Sequence, residues 1–178
     1  MNYLFNIIDF FYQKKKYSFL KKKIHSDISI FIDVGAHHGD TINEFLKIFS
    51  IEKIYAFEPS KKNLIKLRRK VAKIEKRKNT KVEILPFGLG NKEETLELNE
   101  ITDGVSNTFN KLDFNSSYFK KKKLITTLFG IKQFIRDKVP TKIIRLKEFL
   151  RKKKINKIDF IKIDTEGFEF NILLGLEE

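Results

Sequence analysis

A glycine-bounded bend and a few carboxylates carry the chemistry open to this chain. Gly35-Ala36-His37-His38-Gly39-Asp40-Thr41 follows the apolar run Ile30-Phe31-Ile32-Asp33-Val34 and precedes residues at helical spacing. Small residues at such a bend let a ligand approach backbone that a β-carbon would shield. Glu58, followed by Pro59, stands 23 residues after Gly35, close to the ~20-residue interval at which nucleotide folds place an acid for the ribose hydroxyls. Asp164 and Glu166 follow a second apolar run, Ile158 to Ile163. An oxygen nucleophile loses its proton as it attacks, so a carboxylate there would act as general base or orient the hydroxyl. Asp164 is the first candidate and Glu166 the second. The competing reading makes Asp164 a helix cap and Glu166 a first-turn acid favoured by the helix dipole.

The charge of the expected ligand follows from what the bend lacks. A pyrophosphate wants a third glycine and a helix N-terminus open to an anion. S-adenosyl-L-methionine has no phosphate and carries a cationic sulfonium, which the acids Asp33, Asp40, Glu58 and Asp164 suit better. His37 and His38 invite a metal reading, but two neighbours on a turn rarely point at one ion. With no cysteine and no H-x-x-x-H spacing, no metal site is expected. A Mg²⁺ ion held by carboxylates near Asp164 is not required.

The elements that would position these groups alternate short β-branched and aromatic runs with helical stretches, the pattern of a mostly parallel sheet with covering helices. Ile30 to Val34 reads as a buried central strand. Asp40 and Thr41 are expected to cap a helix with Ile42, Phe45, Leu46 and Phe49 on one face. Ile54 to Phe57 gives a second strand, and Ser60 caps a basic helix that buries Leu64, Leu67 and Val71. Lys81 to Pro86 is a third strand. Gly88-Leu89-Gly90-Asn91 reads as a turn before an antiparallel extension at Thr95 to Leu98. From Ile101 to Pro140 periodicity fades, so an insertion or lid is expected over about 101–140. Ile143 to Leu150 suggests a short strand and helix, and Ile158 to Ile163 another buried strand. The domain layout is therefore 1–28, a basic amphipathic helical segment, and 29–178, one Rossmann-like α/β domain.

Composition narrows the class. At 178 residues the chain has room for one sizeable core, and no 18-residue apolar run marks a membrane span. The absence of cysteine removes disulfides and thiolate chemistry and fits the cytoplasm. A net charge of +14 would attract nucleic acid, anionic lipid or acidic glycan. Lys, Ile, Phe and Asn share A/T-rich codons, however, and genome composition is the stronger account of their abundance. No nucleic-acid recognition motif accompanies the charge, so no specific nucleic-acid partner is expected. Residues Met1 to Ile24 join Tyr3, Leu4, Phe5, Ile7, Ile8 and Phe10 to two lysine triplets. Such a helix packs on its own domain through the apolar stripe; weak peripheral membrane contact is the minority alternative.

Three blocks in order resemble the FkbM family of methyltransferases. They are Phe31-Ile32-Asp33-Val34-Gly35-Ala36-His37-His38-Gly39-Asp40-Thr41, then Tyr55-Ala56-Phe57-Glu58-Pro59, then Ile158-Asp159-Phe160-Ile161-Lys162-Ile163-Asp164-Thr165-Glu166-Gly167-Phe168-Glu169. The resemblance runs from about Phe31 to the C-terminus and is weakest between Ile101 and Pro140. It implies a class I methyltransferase fold, S-adenosyl-L-methionine as cofactor and methyl transfer, usually to a hydroxyl oxygen of a glycan or small metabolite. It carries cofactor binding over to Gly35, Gly39 and Glu58, with Asp33, Ala36, His37, Asp40, Thr41 and Pro59 beside them. The family loop commonly has Asn where this chain has His37. Gly88-Leu89-Gly90-Asn91 resembles the place where the family usually shows Ala-Leu-Ser-Asp, so that Gly88 and Leu89 would border the adenine.

In the resembled fold further strands follow Glu178. The expectation is therefore an α/β domain with C-terminal strands missing and an apolar edge at Ile158, Phe160, Ile161 and Ile163. Either the product is truncated or a dimer or partner chain closes the sheet. Two other functional readings stay open: a non-catalytic remnant that retains a cofactor-like pocket, and a basic nucleic-acid-binding protein.

Overall fold

The computed structural model describes residues 15, 17–24, 27–76, 79–101, 107–111, 117, 124 and 135–177. Four strands form a parallel sheet in the order β3-β2-β1-β7. These are β1 (Asp27–Val34), β2 (Ser50–Phe57), β3 (Lys81–Leu85) and β7 (Phe160–Ile163). Helices α1 (Asp40–Phe45) and α2 (Lys61–Glu75) pack on one face. Helices α3 (Leu146–Lys153) and α4 (Glu169–Leu174) pack on the other.

Parallel strands covered on both faces must be apolar at nearly every position, and alternate residues then serve opposite layers. Phe31 of β1 joins Ile42, Phe45, Leu64 and Leu67 in one cluster, whereas its neighbours Ile32 and Val34 join Leu146, Phe149, Phe168 and Ile172 in the other. β2 divides in the same way, Ile54 and Ala56 to the first layer, Tyr55 and Phe57 to the second. Phe31 is fully buried and stacks on Phe45 with ring centroids 4.9 Å apart. Truncating such a ring to alanine costs about 3–5 kcal/mol.

Helix starts follow local chemistry. Ser60 caps α2, its Oγ accepting from the Asn63 N–H at 3.5 Å. The cap of α1 is Gly39 in the left-handed region, not Asp40 or Thr41, and Asp40 is the first helical residue. On the N-terminal side, residues 17–23 are helical. Tyr17, Leu20 and Ile24 pack on the first cluster, with Tyr17 edge-on to Phe45. The apolar residues from Tyr3 to Tyr12 lie outside the described residues, as does most of the expected lid. Among the described residues no helix is long and apolar enough to cross a membrane.

A second sheet has the order β4-β6-β5, built from β4 (Gly88–Gly90), β5 (Glu94–Ile101) and β6 (Ile135–Arg145). Several expectations change here. Gly88 to Gly90 is a strand paired with Ile143 to Arg145, so the turn falls after it. Pro140, taken as the end of a lid, lies inside β6 opposite Glu97. Among the described residues β4 pairs only with the last three residues of β6, so Pro140 has a strand partner on the β5 side alone, a position where proline is tolerated. The segment at Thr95 to Leu98 is antiparallel as expected, but its partner is β6 and not the main sheet. β1 begins at Asp27, two residues before the anticipated domain start. Among the described residues β7 pairs on one side only, with β1, and Ile158, Phe160, Ile161 and Ile163 are half-buried.

Candidate active site

The carboxyl ends of β1, β2 and β7 meet at one rim, where open α/β sheets bind ligands. The bend after β1 is held by β2: the Phe57 carbonyl accepts from both the Gly35 and Ala36 N–H groups at 3.0 Å. Gly35 has φ +76°, and a β-carbon there would stand 2.1 Å from the Asp164 carbonyl oxygen. Only glycine lets the bend and the end of β7 approach so closely. The Asp164 N–H completes the junction by donating to the Val34 carbonyl at 3.1 Å.

Glu58 ends β2 and is only 4% exposed. Its Oε2 accepts from the His37 N–H at 2.8 Å, and its Oε1 from the Ser60 N–H at 2.9 Å and more weakly from Asn63 at 3.4 Å. Burial pushes the Glu58 carboxyl above the usual glutamate value, with these donors pulling it back. The carboxylate therefore braces the bend, and Oε2 retains acceptor capacity for a ligand hydroxyl. The brace continues outward. Ser60 Oγ donates to the buried Glu100 at 2.6 Å, and Glu100 in turn accepts from Lys62 at 2.6 Å.

A cavity of about 190 Å³ opens at this rim. Its wall includes Gly35, Ala36, His37, Asp40 and Thr41 from the bend, and Glu58 and Pro59 from the end of β2. Asp164 and Glu166 contribute from beyond β7. The two expected acids are not helix-start groups: the cap of α4 is Phe168 and its first-turn acid is Glu169. Glu169 collects the N–H groups of Thr165 and Gly167 at 2.8 and 3.1 Å. Although burial opposes it, those donors hold its carboxyl below the usual range. Asp164 is left with its side chain 69% exposed.

Four expected site residues are not in the cavity wall. Gly39 faces α2, where a β-carbon would meet Leu67. Gly88 lies under Phe109 and Ile143, and Leu89 is buried in the second cluster, because β4 is a buried edge strand and not a surface turn. Asp33 is fully buried, and Lys162 stands between it and the cavity. Sequence reasoning in turn put Thr165 at the sheet edge without a role, and missed Lys162, Asn63 and the wall formed by Leu98, Asn107 and Phe109. Lys162 had a visible signal: Asp33 and Lys162 are lone charges within apolar strands, and such charges seek each other. Asn107 and Phe109 had none. They reach the site because Asn99 pairs with Thr108, and Thr108 Oγ1 donates to the Glu166 carbonyl at 3.0 Å.

The His37 and His38 rings stack with centroids 3.5 Å apart and planes at 26°, and with Asp40 their ligand atoms fall within 4.8 Å. Rings stacked face to face direct their nitrogen lone pairs in nearly parallel planes. They do not converge on one ion at the ~2 Å a metal bond needs. Lys70 already pairs with Asp40 and holds its carboxyl below the usual range.

Comparison with known proteins accords with this architecture. A family model described as the methyltransferase FkbM domain matches residues 33–178. The crystal structure of methyltransferase FkbM from Methylobacillus flagellatus KT superposes with a TM-score of 0.53 at 15% identity, covering 85% of this chain. The chain spans 30% of the length of that one. No curated protein matches. With the family model covering the bend, Glu58 and the end of β7 together, the chain belongs to the FkbM methyltransferase family.

Proposed function

We propose that this chain binds S-adenosyl-L-methionine at the rim of its parallel sheet and serves methyl transfer to a hydroxyl oxygen of a glycan or small metabolite. The observation that carries the reading is the convergence of the Gly35 bend, Glu58 and Asp164 on one cavity. The donor set fits that cofactor. Among the described residues Asp40, Glu58, Asp164 and Glu166 line the cavity against a single lysine or arginine, Lys162, although the chain as a whole carries +14. An acidic hollow in a basic protein favours a cationic ligand over a phosphate.

When bound, the cofactor supplies an electrophilic methyl on a positively charged sulfur. In this reading Glu58, held by the His37 and Ser60 N–H groups, accepts hydrogen bonds from the ribose hydroxyls through its remaining lone pairs. The Gly35 bend admits the ligand close to backbone. Asp164, exposed at the mouth, takes the proton that the acceptor hydroxyl releases. Glu166 lies beside it in the wall and orients the acceptor. The cytoplasm is the proposed compartment, supported by the absence of cysteine.

Calorimetric titration with S-adenosylmethionine and S-adenosylhomocysteine tests the cofactor, and product detection against an acceptor panel tests the transfer. Glu58→Ala should abolish binding. Asp164→Asn should keep binding and lose transfer by about 10²–10⁴-fold, the usual contribution of a general base. Wild-type protein that binds neither nucleoside refutes the reading, and undiminished transfer by Asp164→Asn refutes the base.

A further inference from the structure

We propose that Lys162 is a positioning residue whose ammonium, anchored by the buried Asp33, holds the Gly35 carbonyl and so sets the shape of the cofactor bend. The inference rests on the cofactor reading above and adds a residue to it. Asp33 and Lys162 occupy paired positions in the adjacent strands β1 and β7. Lys162 Nζ donates to the Gly35 carbonyl at 2.7 Å and lies 3.2 Å from Asp33 Oδ1 and 3.6 Å from Asp164 Oδ2. Asp33 is fully buried, and among the described residues neither of its oxygens receives a well-directed hydrogen bond. The nearby ammonium is therefore what makes a carboxylate tolerable at that depth.

The geometry gives this ion pair a task beyond neutralisation. The best-formed hydrogen bond of the ammonium goes to the carbonyl of Gly35, the residue whose left-handed backbone turns the chain into the cavity. Asp33 fixes the cation, the cation fixes the carbonyl, and the carbonyl fixes the direction of the Ala36 and His37 backbone along the cavity wall. Asp33 thus acts on the ligand through Lys162, because the lysine, with its side chain 19% exposed, is the member of the pair that lines the cavity. A neutral side chain at 162 leaves the Gly35 carbonyl without this donor, so the bend is held less tightly although its bonds to Phe57 and Glu58 remain.

Removing both charges separates the two roles. The double variant Asp33→Leu with Lys162→Met leaves neither a buried charge nor an unpaired buried polar group on these side chains, so it should melt near wild type. It should nevertheless bind S-adenosylhomocysteine at least about tenfold more weakly, the scale of a lost hydrogen bond to a charged group. Amide exchange at Gly35, Ala36 and His37 should quicken while the rest of the sheet keeps its protection. Lys162→Arg, which retains charge and donors, should bind within about threefold of wild type. Double-variant binding within threefold of wild type, or unchanged exchange at those three amides, overturns the proposal. If the double variant does not fold, Lys162→Arg decides, and binding more than about tenfold weaker in that folded protein overturns it. Wild-type protein that fails to bind defeats the cofactor reading alone, and the exchange comparison still tests the positioning role.

Discussion

Gly35→Ala probes the closest approach in the site. An alanine at φ +76° pays the left-handed strain of about 1–2 kcal/mol. Its β-carbon would also stand 2.1 Å from the Asp164 carbonyl oxygen, where real contacts do not fall below 3.0 Å, so about 0.9 Å of backbone separation must be found. Neither side yields easily. The bend is tied to Phe57 by two hydrogen bonds, and Asp164 is tied to Val34 by one. Overpacking of this kind adds about 1–3 kcal/mol. Gly39→Ala provides the reference, because it carries similar strain at φ +80° but meets only the movable Leu67 Cδ1 at 2.8 Å. Urea unfolding of the two variants beside wild type should place Gly39→Ala about 1–2 kcal/mol down. Gly35→Ala should fall roughly 2–5 kcal/mol, the sum of strain and overpacking. The same displacement would draw the Gly35 carbonyl away from Lys162, so S-adenosylhomocysteine binding should weaken as well. A Gly35→Ala protein no less stable than Gly39→Ala would refute the claim that the two loops are in obligatory contact.

Three further outcomes are expected. Burial pushes the Asp33 carboxyl above its usual value of 3.8, with Lys162 opposing; the folded state then holds this proton more tightly than the unfolded chain. Wild-type stability from this group is full below pH 3.8 and declines as pH rises through the folded value. Melting of Asp33→Asn and wild type at pH 4 and pH 7 should therefore shift in favour of the variant at the higher pH, and a shift toward wild type contradicts the assignment. Ser60→Ala removes both the α2 cap and the donor to buried Glu100; denaturant unfolding should register a loss of about 2–4 kcal/mol. Lys154 holds φ +56° at the end of α3, so Lys154→Gly should raise stability by about 0.5–1 kcal/mol in the same measurement.

Local pattern was enough to locate the main sheet and half of its site. Ile30 to Val34, Ile54 to Phe57 and Ile158 to Ile163 are apolar except at Asp33, Asp159 and Lys162, because both faces are covered, and such runs leave little alternative to a buried parallel strand. The bend at Gly35 and the acid at Glu58 were legible because each follows directly from the end of its strand. Tertiary structure decided the remainder. Pro140 spoke against a strand, yet it lies in β6 opposite Glu97, outside the three residues that pair with β4. Gly88 and Leu89 looked like a surface turn, yet pairing with Ile143 and Ile144 turns them inward. Asn107 and Phe109 enter the wall through long-range contacts to Asn99, Gly88 and Glu166 that no periodicity encodes. Composition and spacing therefore determine which strands form and which residues end them. Which of those ends share a cavity, and which charge stands in front of which, depends on register between strands far apart in the chain, as between Asp33 and Lys162.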